Sequence, residues 1–184
     1  MDSHTVKKSS GETRGKTTAD AGLRYLTMSG VFAALITVMT AYIAHVPVGV
    51  NGTYIHFGDA LIYLAATILP TPYALAAAAI GGGLADLLTA PVWAPATIVI
   101  KMLLVLLFSN KADRIVTARN VTASVLAYLI TGFGYFLAEY LMFGSAASAF
   151  LISMGSNLIQ SAGSGAVFVI AGLALDRAGL KKRL

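Results

Sequence analysis

From Tyr54 to Ser109 the chain reads YIHFGDALIYLAATILPTPYALAAAAIGGGLADLLTAPVWAPATIVIKMLLVLLFS, and its only charged residues are Asp59, Asp86 and Lys101. Pro70-Thr71-Pro72 and Ala90-Pro91-Val92-Trp93 cut the run into three apolar segments. Proline-rich breaks of this kind mark tight turns. Apolar segments joined this closely and nearly free of charge read as membrane-crossing helices lying side by side.

The same pattern extends in both directions. A helix needs about 20 residues to cross some 30 Å of hydrocarbon. That ruler predicts six spans: Arg24–Ala44, Tyr54–Leu69, Pro72–Ala90, Ala94–Ser109, Val121–Phe143 and Ala149–Leu175. The second and fourth are short, and the sixth is long enough to tilt. Composition agrees: of 184 residues, 57% are hydrophobic and 11% charged, with mean hydropathy +0.77, whereas soluble domains carry about 25% charged residues. The expected fold is an all-α, six-helix membrane bundle: a flexible cytoplasmic tail over residues 1–22 and a transmembrane binding domain over 23–184.

Charge placement sets the orientation. Lys7, Lys8, Arg14, Lys16 and Arg24 precede the first span; Lys111, Arg114 and Arg119 lie between the fourth and fifth; Arg177, Lys181, Lys182 and Arg183 follow the sixth. The loops on the other side, around 45–53, 91–93 and 144–148, contain no Lys or Arg. Basic loops stay in the cytoplasm, so both termini are expected there. The net charge of +5 is thus a signature of membrane orientation, and no nucleic-acid partner is expected.

Several chemistries find no support. There is no cysteine, hence no disulfide framework, thiolate nucleophile or zinc-cysteine centre. Gly15-Lys16-Thr17 resembles the end of a phosphate loop, but Ser10 stands where that motif needs glycine and no strand precedes it. The apolar run Tyr25–Ala44 is long enough to span and is followed by no convincing cleavage site, so a signal peptide is not expected. No cofactor and no metal are expected; His45 and His56 lack a carboxylate or cysteine cluster at ligand spacing.

Ionisable groups inside a membrane cost at least about 2.5–3.5 kcal/mol each on insertion scales, so each needs a reason. Asp59, Asp86, Lys101, Glu139, Asn157 and Gln160 all fall in the outer half of the spans or near the midplane. Such a distribution describes a pocket open to the exterior. Helical spacing groups them further: Ser153, Asn157, Gln160 and Ser164 share one face, as do Tyr128, Gly132, Tyr135 and Glu139, and Trp93, Thr97 and Lys101. Three polar and aromatic stripes suit a flat polar small molecule. The candidate substrate contacts are Glu139, Asn157, Gln160, Lys101, Trp93, Tyr135, Asp86 and His56. The plainer alternative is helix-to-helix glue, since interhelical hydrogen bonds are common and contribute only ~0.6 kcal/mol each; Asp59 and Asp86, close to water, would then cap a helix or pair with Lys101.

Two further features concern packing and access. Asn51-Gly52 is a type I′ turn signal, so residues 45–55 are expected to form a small hairpin over the pocket; Asn51-Gly52-Thr53 also matches a glycosylation sequon. Small residues Gly30 and Ala34, continued by Thr37 and Ala41, stripe the first span, and Ala74, Ala78 and Gly82 stripe the third. Such stripes let backbones approach closely, within the chain or between chains.

Gly30-Val-Phe-Ala-Ala34, Tyr54-Ile-His-Phe-Gly-Asp-Ala60, Gly81-Gly-Gly-Leu-Ala-Asp86 and Trp93-Ala-Pro-Ala-Thr97 with Lys101 together resemble the substrate-binding (S) components of energy-coupling factor (ECF) vitamin transporters. Gly30 replaces the first alanine of that family's Ala-xxx-Ala motif and keeps it small. The resemblance implies a six-helix subunit that captures a vitamin or precursor outside, with pyrimidine or pyridine types such as hydroxymethylpyrimidine or pyridoxine the nearest. It also implies docking through Gly30 and Ala34 on a transmembrane T subunit driven by two ATPase subunits, and toppling in the membrane to release cargo. Two rivals stand beside it. A stand-alone secondary transporter would need an inward polar path, commonly with inverted repeats. An intramembrane aspartyl protease would use Asp86, in Gly83-Leu-Ala-Asp86, with Asp59 as partner carboxylate.

Overall fold

The computed structural model describes the backbone at residues 3–43, 46–47, 54–144 and 147–184, and side chains at 20–43, 56–144, 150–151 and 154–184. The elements in order are α1 (Ser3–Ala41), β1 (Val46–Pro47), β2 (Tyr54–Ile55), α2 (Gly58–Ile68), α3 (Thr71–Thr89), α4 (Ala94–Leu107), α5 (Ala118–Phe143) and α6 (Ala147–Arg177). Short 3-10 turns at Pro91–Trp93 and Leu180–Lys182 flank α4 and close the chain. Among the described residues, four helical stretches are long and apolar enough to cross a membrane: Asp20–Ala41, Thr71–Thr89, Ala118–Phe143 and Met154–Arg177. Gly58–Ile68 and Pro91–Leu107 are apolar but shorter.

Two expected boundaries move. The first helix runs unbroken from Ser3 through the polar stretch expected to be a tail; no proline interrupts it. The second helix begins at Gly58, four residues later than expected, because Tyr54 and Ile55 pair antiparallel with Pro47 and Val46. Their side chains suit a strand as well as a helix, and the pairing decides. That ladder is the base of the expected hairpin; His45 and the Asn51-Gly52-Thr53 turn lie outside the described residues.

The helices form a closed ring in the order α1, α3, α4, α5, α6, α2, with α2 also reaching α3 and α4. Enclosure explains the sequence of α2: every residue from Gly58 to Ile68 except Leu61 is buried, as a helix apolar all round should be. At about 1.5 Å per residue it is only ~16 Å long. Its C-terminal end turns at Leu69, and Pro72 sits in the first turn of α3, a position where the missing N–H costs nothing.

Glycines set the closest crossings. A Cβ at Gly81 would lie 2.8 Å from the Ala33 carbonyl, and one at Gly83 2.8 Å from Ile98. The Gly81–Gly83 triplet thus draws α1 against one side of α3 and α4 against another. Thr37 Oγ1 donates to the Gly81 carbonyl at 3.1 Å and Ser29 Oγ to the Tyr73 carbonyl at 2.8 Å. This splits the stripe expected on α1. Thr37 and Ala41 turn inward toward the bundle, while Gly30 and Ala34 are exposed. The α3 stripe Ala74, Ala78 and Gly82 is wholly buried, which makes it internal packing.

The end of the bundle that carries the termini is tied shut. Asp176 near the end of α6 accepts the Ile115 and Val116 N–H groups at 2.7 and 3.0 Å. The Asn120 side-chain amide accepts from Ser109 N and donates to the Ser109 and Ile115 carbonyls, all at 3.0 Å. Above this latch Tyr63 stacks on Phe108 at 4.7 Å, and Phe168 meets both edge-on.

Candidate functional site

The polar residues of five helices converge in the hairpin half of the bundle. Asp59 sits in the first turn of α2 and is fully buried. It accepts from Lys101 Nζ of α4 at 2.6 Å and from Gln160 Nε2 of α6 at 2.9 Å. Lys101 is 1% exposed, so the pair is desolvated on both sides. Its charges are costly to bury and stabilise only as partners. Lys101 also lies over the Tyr135 ring, 5.5 Å from its centroid, within cation–π range.

A second chain of contacts runs alongside. Thr97 donates to Asp86 through a short hydrogen bond, and its oxygen lies 2.9 Å from the Tyr135 hydroxyl. A threonine has one proton to give, so with Asp86 taking it Tyr135 must donate to Thr97. Trp93 meets Tyr135 at 6.0 Å in an edge arrangement and Phe143 at 6.0 Å. Lys101 carries both groups: its charge faces Asp59 and Tyr135 together.

The remaining candidates continue the same faces. Glu139, one turn beyond Tyr135, and Asn157, one turn before Gln160, are both buried. His56 is buried just ahead of α2, and its Nδ1 accepts the Gly58 N–H at 3.0 Å. That bond leaves the His56 proton on Nε2. Two expected members of the stripes are engaged elsewhere: Tyr128 donates to the Met154 sulfur at 3.5 Å, and Met154 also covers Gly132. The Ser164 hydroxyl is buried without a partner, and the side chain of Ser153 lies outside the described residues. Asp59 and Thr97 are the hubs of the two networks, and neither stands among the residues first selected as substrate contacts. The signal for Asp59 is its depth, close to that of Lys101; the signal for Thr97 is its place one helical turn before that lysine.

Such an arrangement holds and orients. Hydroxyls, amides, carboxylates and an ammonium sit beside two aromatic rings, with no paired acid and base poised on a common point. Asp59 accepts from Lys101 and Gln160, and Asp86 accepts from Thr97. Among the described residues no group of three His, Cys, Asp or Glu stands where it could hold a metal ion.

The family model for the ECF-type riboflavin transporter, S component, matches residues 22–177. The chain belongs to this S-component family. No curated protein matches it. As an ECF S component it is a multi-pass membrane protein and a vitamin-type substrate-binding subunit, in a family of transporters that is not an enzyme family. S components work with ECF transmembrane and ATPase modules, which supply the motor that this chain has no motif for.

Proposed function

We propose that this S component captures a small flat vitamin or precursor with a protonatable ring nitrogen or amine, of the hydroxymethylpyrimidine or pyridoxine type. In this reading Glu139, Asn157, Gln160, Lys101, Trp93, Tyr135, Asp86 and His56 line the site. All six helices cross or enter the membrane, with both termini cytoplasmic. Residues 1–22 are the cytoplasmic tail and 23–184 the binding domain. Gly30 and Ala34 dock on the T subunit, which two ATPase subunits drive.

Charge balance in the polar cluster carries the substrate class. The sequence between Tyr25 and Asn110 contains one Lys or Arg, Lys101, and none lies between Arg119 and Arg177. Against that single ammonium stand three buried carboxylates, Asp59, Asp86 and Glu139. A ligand that brings a ring nitrogen or amine N–H suits such carboxylates, which accept charge-assisted hydrogen bonds. The Trp93 and Tyr135 rings supply the flat apolar contact.

The family's printed name supports a second reading, riboflavin. Its ring system would also use the aromatic pair, but it is larger and brings no positive charge to the carboxylates. Native mass spectrometry of the protein purified from cells, followed by calorimetric titration with pyridoxine, hydroxymethylpyrimidine and riboflavin, separates the two. Tight binding of riboflavin with no response to the smaller rings would overturn the proposed substrate while leaving the binding-subunit role intact.

A further inference from the structure

A second cleft lies at the opposite end of the bundle, between the end of α6, the terminal turn and the α4–α5 loop. Arg114, Arg177, Lys181 and Lys182 supply its charge, against Asp113 and Asp176. The acids do not cancel the bases. Both Asp176 oxygens accept backbone N–H groups, and Arg114, Arg177 and Lys182 form no ion pair with a described residue. Lys181 is committed to the loop, donating to the Asn110 and Ala112 carbonyls. Asp176 and Lys181 therefore fix its walls, and Arg114, Arg177 and Lys182 line it without an ion pair to a described residue.

Its position and its apolar wall bear on what it takes. It opens where α6 ends and α5 begins, at the level where spans give way to basic loops. Val116, Leu173 and Leu180 line it beside the cations. Leu173 is 43% exposed on α6, on a helix apolar enough to cross the membrane. Val116 and Leu180 pack partly against the core, and Leu173 offers exposed apolar surface beside the cations. A phospholipid uses both halves: cations meet the headgroup phosphate, and the glycerol and first acyl carbons lie along the leucines.

We propose that this cleft binds the headgroup phosphate of an anionic phospholipid from the adjacent leaflet. The site is separate from the vitamin pocket and independent of which vitamin that pocket takes. Basic residues next to a membrane contribute about 1 kcal/mol each toward anionic lipid, so removing two weakens retention about tenfold or more.

The test uses the full chain in nanodiscs of phosphatidylcholine with a minor fraction of phosphatidylglycerol, read by native mass spectrometry after transfer to detergent. The wild-type protein retains phosphatidylglycerol above its share of the bilayer. Arg114→Gln with Arg177→Gln lowers that retention about tenfold or more, while Arg119→Gln, at an exposed arginine in the first turn of α5 outside the cleft, leaves it unchanged. Unaltered vitamin binding or unaltered thermal unfolding shows that the double variant is folded. Equal loss in the Arg119 control would mean diffuse surface charge and would overturn the site. Displacement of the lipid by millimolar inorganic phosphate would mean a free-anion site and would overturn the lipid assignment.

Discussion

Lys101 Nζ and Asp59 Oδ1 lie 2.6 Å apart with both side chains almost wholly removed from solvent, so α2 and α4 are joined at the centre of the bundle by opposite charges. Neither charge can be left alone there without a large desolvation penalty. Gln160 joins from α6, which makes one carboxylate the meeting point of three helices.

The pair should therefore behave as a unit. Asp59→Asn or Lys101→Met alone strands a buried charge and should lower stability by about 3–5 kcal/mol. Asp59→Leu combined with Lys101→Met removes both charges and should recover most of that loss. Thermal unfolding of the four proteins in one detergent completes a double-mutant cycle. Additive losses in the double variant would mean that the two residues stabilise the fold independently.

Asn157, Gln160 and Glu139 are proposed to meet the ligand, and the cost of losing each is bounded. Stranding one polar partner of a ligand costs about 1–3 kcal/mol, or about ten- to a hundredfold in affinity. Asn157→Ala, Gln160→Ala and Glu139→Ala should each weaken vitamin binding in calorimetry by that factor. Gln160→Ala also removes a hydrogen bond to Asp59, so it should lower the unfolding temperature as well. Unchanged affinity in all three variants removes this cluster as the binding site.

Orientation can be read directly, because the chain has no cysteine of its own. Gly49→Cys lies between β1 and β2, and Ala178→Cys is exposed just after α6. An impermeant thiol reagent on intact cells should label the first and spare the second until the cells are opened. Labelling of Ala178→Cys in sealed cells would invert the topology.

What the sequence revealed and what it hid follow from the range of the interactions involved. Helices α3, α5 and α6 end within three residues of expectation because proline breaks, Gly144 in the left-handed conformation and charge boundaries are local signals. The start of α2 was not legible: Tyr54 and Ile55 fit strand or helix, and only pairing with Val46-Pro47 decides. The same holds for the α1 stripe. Small residues carry no mark of which way they face, and the contact of Thr37 with Gly81 is long-range. In the candidate site, the sequence offers Asp59 and Asp86 alike as partners for Lys101, and the structure pairs it with Asp59. Which carboxylate takes the lysine depends on ring order, with α2 lying against α4.

The exposed half of that stripe gives the test of partnership. Gly30 and Ala34 stand one turn apart on the outward face of α1, and a Cβ at Gly30 would meet nothing within 4 Å. Neither residue belongs to the polar cluster around Asp59 and Thr97. Both positions are exposed, so a tryptophan there is expected to leave the chain's own packing intact, yet it blocks the close backbone approach by which small-residue contacts work. Gly30→Trp and Ala34→Trp should leave vitamin affinity in detergent and the unfolding temperature within error of the parent. Both should abolish co-purification with the T subunit and vitamin uptake by cells that express the whole transporter. A stand-alone carrier makes the opposite forecast: wild-type protein reconstituted alone would accumulate vitamin with neither partner nor ATP. Uptake in that minimal system, or intact T-subunit binding by both tryptophan variants, would remove Gly30 and Ala34 as the docking face.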